Sequence, residues 1–226
     1  MKSRVWLVTL SLVVLVFFLG SSAQANSFIV DTGTPDESTP GFIVAGPAGF
    51  AGQQSLAFQF TVTQPSVVVT SIEGYFYDAP FFATPGTVTV ALYSGSGSDP
   101  INLGPIPGTE IFSQQLQIDE VDHTDFLFGG WHGLNGLNVA LASGTYWVAF
   151  EGRALDTYDG AMPGSSPFPL LNSAFDNGAG YSYSQSITDA GVRIGVPEPT
   201  SLLLLAASGL LGLAGKRKEI LGRLFQ

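Results

Sequence analysis

The chain has 226 residues and a net charge of −10 at pH 7, from eighteen acidic and eight basic side chains. This acidity excludes nucleic acid as a partner, because the phosphates would be repelled. The sequence contains no cysteine, which excludes a disulfide framework, a thiol nucleophile and a lipid anchor on an N-terminal cysteine. About 170 residues remain when both apolar ends are set aside, enough for one domain with a sizeable core.

The first 25 residues have the three parts of a secretory signal peptide. Basic residues at positions 2 and 4 precede an apolar run over residues 5–19, and Ala23-Gln24-Ala25 supplies small residues for a cleavage site. This order predicts export through the secretion machinery, cleavage by signal peptidase and Asn26 as the first mature residue. An uncleaved N-terminal anchor is the alternative interpretation.

Residues 26–195 form a series of short strands separated by turns. Leu56, Phe58, Phe60 and Val62 alternate with small or polar residues, which is the period of a half-buried strand. The pattern predicts an all-β fold, an antiparallel β-sandwich that is jelly-roll-like. Further strands are predicted at 68–77, 88–92, 111–118, 125–128, 137–141, 145–151, 181–184 and 192–195, with turns at 64–66 and 142–144 and long loops at 94–110 and 152–172.

Charge differs between this body and the two ends of the chain. Residues 26–195 carry sixteen acidic side chains and two arginines, a net charge of −14. Most basic residues flank the apolar end segments, which agrees with the positive-inside rule if the body is translocated. An acidic body of this kind can take up divalent cations, although a general acidic bias of exported proteins gives the same composition.

One acidic cluster is dense enough to suggest an ion. Four carboxylates fall within seven residues, and such hard oxygen ligands are those that calcium prefers. The spacing differs from that of an EF-hand loop, and a solvated acidic loop is the alternative. No other cofactor is expected. The predicted calcium ligands are Asp119, Glu120, Asp122 and Asp125.

The sequence gives little support for catalysis, and we assign no catalytic residue. Only His123 and His132 could act as bases near neutral pH, and the motifs of serine hydrolases and zinc peptidases are absent. The rings of Tyr75, Phe76 and Tyr77 could hold a sugar or pack into the core. A secreted polysaccharide-acting hydrolase stays open as an alternative, because paired carboxylates are recognised by their separation in space.

The C-terminal end combines an extended motif, an apolar helix and a basic stop. Val196-Pro197-Glu198-Pro199 is followed by an apolar run over 202–214 and then by Lys216-Arg217-Lys218. The prolines fix their own φ and keep the preceding residues extended. A helix over 201–215 would rise about 22 Å, short of a hydrocarbon core of about 30 Å, so the segment predicts a temporary membrane anchor.

This arrangement resembles the PEP-CTERM sorting domain of exported bacterial surface proteins. The resemblance implies that exosortase, a membrane-embedded cysteine transpeptidase-like enzyme, recognises Val196, Pro197, Glu198 and Pro199, in bacteria that make exopolysaccharide. Residues 219–226 extend beyond the usual end of such domains, and we assign them no role. An ordinary C-terminal membrane anchor is the alternative.

These observations predict three regions and one route. Residues 1–25 form the signal peptide, 26–195 the β-sandwich ectodomain and 196–226 the sorting and anchor segment. The protein is expected to sit transiently in the inner membrane, to be processed by exosortase, and to end at the cell surface or in the extracellular matrix. Its expected role is structural or adhesive, in contact with exopolysaccharide.

Overall fold

The computed structural model describes residues 27–36, 41–49, 52–77, 85–119, 129–184 and 189–197. Of these residues 69 % lie in strands, and none lies in a helix. The strands pair antiparallel throughout, as in the pairing of β3 (Ser55–Tyr77) with β6 (Gly129–Glu151). Residues 27–196 form one compact unit. The prediction of an all-β, antiparallel fold is therefore confirmed.

Ten strands form one hydrogen-bonded sheet, in which the main path runs β1-β10-β3-β6-β4-β5. Off this path, β2 pairs with β7, β7 meets the end of β3, and β8 pairs with both β3 and β9. The other strands are β1 (Ser27–Asp31), β2 (Gly41–Ala45), β4 (Gly86–Ser98), β5 (Pro105–Ile118), β7 (Asp159–Pro163), β8 (Ser173–Asp176), β9 (Ser182–Ser184) and β10 (Val192–Val196).

Strands β3 and β6 are long and irregular, and each has different neighbours along its length. The first part of β3 lies between β6 and β8, whereas residues 71–74 lie between β6 and β10. The register shifts twice, once between Val62 and Ser66 and once between Val69 and Ser71. The turns predicted at 64–66 and 142–144 are wrong, because both segments lie within continuous strands. Pro65 is tolerated in β3 because it sits at the first irregularity.

The predicted alternation of side chains is confirmed around the middle of the sheet. Phe58, Val148 and Phe150 belong to the main core, whereas Trp147 and Ala149 lie on the opposite face in a second apolar cluster. The two irregularities of β3 change the phase of burial. Val62 and Ile72 are buried at even positions, whereas Val69, which lies between the two irregularities, is buried instead of Val68. A single alternation carried from residue 56 to residue 72 therefore fails in the segment between the two irregularities.

The long loop predicted at 94–110 is mostly strand, whereas the one predicted at 152–172 is mostly loop and contains one short strand. Residues 94–98 and 105–110 continue β4 and β5 as a hairpin, and β7 lies within 152–172. The predicted anchor helix at 201–215 and the predicted strand at 125–128 lie outside the described residues. In the part of the chain that the structure describes, no helix is long and apolar enough to cross a membrane.

Candidate functional site

Strand β10 leads from the core of the domain into the predicted sorting segment. Its residues 192–195 pair with β3 on one side, and its residues 193–196 pair with β1 on the other, with Gly195 opposite Phe28 and Val196 opposite Ser27. Val196 is only 9 % exposed, whereas Pro197 is exposed directly after the strand. The predicted motif therefore begins inside the sheet, and its residues 198 and 199 lie outside the described residues.

Side chains fasten β1 to β10 next to this exit point. The Nε of Arg193 lies 3.1 Å from Oδ1 of Asp31, and its guanidinium lies over the rings of Trp131, at 3.9 Å, and Phe28, at 5.6 Å. Just beyond β1, the backbone N–H of Val192 donates to Oγ1 of Thr32 at 2.7 Å. An ion pair, one cation–π contact and a buried hydrogen bond thus link β10 to β1 and to the residue that follows it, and the cation–π contact with Trp131 links β10 to β6.

A second group of polar side chains surrounds Glu151, the last residue of β6. Its carboxylate is 5 % exposed and accepts hydrogen bonds from the hydroxyls of Tyr93 and Tyr181, each at 2.5 Å. The Nε of Arg153 donates to it at 2.6 Å, and the same guanidinium bridges to Glu110 at 2.6 Å. A buried charge is tolerated only when paired and hydrogen-bonded, and Glu151 meets both conditions.

The electrostatics of this group favour a structural clamp over proton transfer. Burial and the neighbouring Glu151 raise the pKa of Tyr93, and burial and the same carboxylate raise that of Tyr181. Partial burial opposes the shift at Glu110, but hydrogen bonds from Ser113 and Arg153 lower its pKa. The phenols therefore remain protonated donors and Glu110 an ionised acceptor near neutral pH.

A shallow groove of about 270 Å³ lies beside β1. Its walls are formed by residues 29–31 of β1, by Thr32, by residues 59–61 of β3 and by the segment 168–171. Phe168 and Leu171 on its rim are 68 % and 77 % exposed, and Thr61 adds an exposed hydroxyl. The groove thus combines an exposed aromatic ring with polar groups.

The predicted calcium site cannot be assembled from the described residues. Asp119 is exposed directly after β5, and its three predicted partners, Glu120, Asp122 and Asp125, lie outside the described part of the chain. Among the residues that the structure describes, there is no group of three or more His, Asp or Glu side chains that could hold a metal. The calcium site remains a prediction.

The aromatic and histidine candidates have clearer outcomes. Phe76 and Tyr75 are 0 % and 6 % exposed, so these rings pack into the structure and offer no free face to a sugar. His132 packs its ring against Phe76, with 6.2 Å between the centroids. His123 lies outside the described residues.

Sequence reasoning missed the group around Glu151. One signal was present, because Glu151 directly follows the buried strand segment 146–150 and Arg153 is one of only two basic residues in the body. Its partners Tyr93 and Tyr181 come from distant parts of the chain, and only the fold brings them to the carboxylate.

Comparison of the whole chain with characterised proteins and with solved structures finds no match. A family model does match the end of the chain, over residues 195–218. This range begins with the last two residues of β10 and ends with the basic cluster 216–218. The chain therefore carries the PEP-CTERM protein-sorting motif, the signal of an exported protein that exosortase processes for the cell surface or the extracellular space.

Proposed function

We propose that this protein is a structural or adhesive component of the cell surface or extracellular matrix, and that its β domain contacts exopolysaccharide. The sorting motif supports the destination, and a single compact unit of antiparallel strands is a suitable scaffold for a surface protein. We further propose that the domain is a jelly-roll-like β-sandwich, because β3 and β6 change partners along their length and apolar residues from both ends of each strand belong to one buried cluster.

The proposed route includes a transient stay in the inner membrane. The apolar run after residue 201 anchors the chain there, and the basic residues Lys216, Arg217 and Lys218 stop its translocation. The five residues 197–201 span at most about 18 Å when fully extended. Exosortase would therefore meet its substrate in a short segment between the β domain and the bilayer.

The groove beside β1 is the observation that carries the proposal of carbohydrate contact. Sugars bind to proteins through apolar contact with an aromatic ring and through hydrogen bonds to a few polar groups. Phe168 supplies an exposed ring, and Thr61 is an exposed polar residue that also lines the groove. The charge of −14 on the body favours neutral polysaccharides over acidic ones, because acidic chains would be repelled.

A glycan-binding measurement on mature protein recovered from the host tests this proposal. Replacing Phe168 by Ala should weaken binding of the host exopolysaccharide about tenfold, since loss of one ring contact removes roughly 1.4 kcal/mol. Phe175→Ala is the matched control, because Phe175 is an exposed ring on β8 away from the groove. Equal weakening by both changes, or binding by neither wild type nor variant, would reject the groove as the carbohydrate site.

A non-enzymatic role is part of the proposal, with the secreted hydrolase as its rival. A glycoside hydrolase needs one carboxyl group with a raised pKa to protonate the leaving group. Glu110 has a lowered pKa, and Glu151 is occupied by two phenols and Arg153. Release of new reducing ends from the host polysaccharide by the purified protein would overturn the non-enzymatic assignment.

A further inference from the structure

The sorting motif overlaps the fold of the β domain. The family match begins at Gly195, and Gly195 and Val196 are the last two residues of β10. Gly195 has a strand partner on each side, Ser71 of β3 and Phe28 of β1. Val196 pairs with Ser27 and is 9 % exposed. The first two residues of the motif are therefore already paired with neighbouring strands in the folded domain.

An enzyme that binds an extended peptide usually does so through the peptide's backbone groups and alternate side chains. Those groups are engaged by β1 at Gly195 and Val196. Release of β1 would free one edge of Gly195. It would also remove from Val196 the only strand partner that this residue has among the described residues. The rest of β10 would stay paired with β3 through residues 192–195.

β1 is suited to such release. It is a five-residue strand at the edge of the sheet, and edge strands with few partners open at lower free energy than central strands. Its register shifts between Phe28 and Val30, so that only the pairs at Ser27 and Phe28 hold the last two residues of β10. Local opening at this end leaves the core of the domain intact.

We propose that β1 is a clasp that masks the start of the sorting motif, and that Phe28 controls the rate of exosortase processing from a position far upstream of the motif. The guanidinium of Arg193 lies over the rings of both Phe28 and Trp131. Its contact with Phe28 holds the clasp closed. Processing then proceeds from the fraction of molecules in which Ser27 and Phe28 have left β10. This inference rests on the proposed route through exosortase.

Two opposite changes test the clasp in the full-length chain, expressed in the host. Phe28→Ala loosens it and should speed conversion to the processed form several-fold in a pulse-chase measurement. Ile111→Ala is the matched control, because Ile111 is 43 % exposed on another edge strand whereas Phe28 is 39 % exposed on its own. The control should be processed at the wild-type rate.

A disulfide between positions 27 and 196 locks the clasp. Directly paired Cα atoms of antiparallel strands lie about 4.5–5.5 Å apart, within the range that a disulfide spans. The chain has no other cysteine, so this is the only disulfide that Ser27→Cys with Val196→Cys can form within one chain. Processing should slow at least tenfold and recover on reduction, while Val196→Cys alone reports any direct effect of changing the motif.

The outcomes separate this inference from the proposed route. If Glu198→Ala leaves processing intact, the exosortase route itself fails. If Glu198→Ala arrests processing but the locked and Phe28→Ala proteins mature at the wild-type rate, the clasp is wrong and the route stands. Slower processing of Phe28→Ala with a normal Ile111→Ala would also overturn the clasp, since β1 would then present the motif instead of masking it.

Discussion

Glu151 shows how one residue can tie together distant parts of an acidic domain. Three donors converge on its carboxylate, from Tyr93 on β4, from Tyr181 before β9 and from Arg153 beyond β6. Arg153 is one of only two arginines in the body, which has no lysine, and it forms ion pairs with both Glu151 and Glu110. Removing the central acceptor would leave buried donors without a partner.

We expect Glu151→Ala to lower the free energy of unfolding by about 3 kcal/mol, because the phenols lose their acceptor and Arg153 loses its more buried partner. Glu110→Ala removes the other partner of the same arginine, but its side chain is 39 % exposed, so the loss should stay below about 1 kcal/mol. Urea unfolding of both variants measures the difference. Equal losses would show that the burial of Glu151 does not determine how much it contributes to the free energy of unfolding.

At the scale of elements, the hairpin of β4 and β5 is organised by its turn. Asp99 accepts hydrogen bonds from the backbone of Ile101 and Asn102, each through Oδ1, and from the backbone of Tyr183 through Oδ2. Ser96 of the same hairpin accepts from the indole of Trp147. The turn is thus connected to β9, and the hairpin contributes a partner to the buried tryptophan.

The hairpin turn should make stability depend on pH in acid. Hydrogen bonds from the backbone of Tyr183, the side chain of Asn102 and the backbone of Ile101 lower the pKa of Asp99 to about 2. Because this folded-state pKa lies below the unfolded value of about 3.9, the stabilisation is complete above pH 4 and is lost as the pH falls towards 2. Urea midpoints of wild type and Asp99→Asn should therefore converge between pH 4 and pH 2. A constant difference across that range would contradict the assignment.

The elements also show what sequence reasoning could recover. Alternation identifies the faces of β3 and β6, because burial on one side requires a period of two. The same reasoning fails at Pro65 and Gly144, since proline and glycine mark turns in most sequences but here occupy an irregular pair of strands. Strand β10 lies between β1 and β3, so the start of the motif is paired on both sides. This position depends on pairing between strands that are distant in sequence, and no local sequence pattern predicts it.

At the scale of the whole molecule, we expect processing to depend on the sorting motif and the stability of the β domain to be independent of it. Glu198 lies two residues beyond β10, so Glu198→Ala should leave the melting temperature unchanged. The same change should arrest processing and leave the longer, membrane-bound form in the host, because the enzyme loses part of its recognition motif. Gel mobility and membrane partition measure the arrest, and deletion of the host exosortase should reproduce it. Normal trimming of the variant would mean that the motif is incidental.

The pairing of the first strand with the last also determines when the domain can finish folding. The hydrogen bond between Thr32 and Val192 joins residues 160 positions apart, and contacts of such long sequence separation form late. A chain exported from its N-terminus delivers β1 first and β10 last. The edge of β3 that pairs with β10 therefore stays open until β10, almost the last part of the domain, has been exported. On the proposed route, folding would then be completed as the sorting signal is exported, and the incomplete domain would have to be kept from aggregating only until that point.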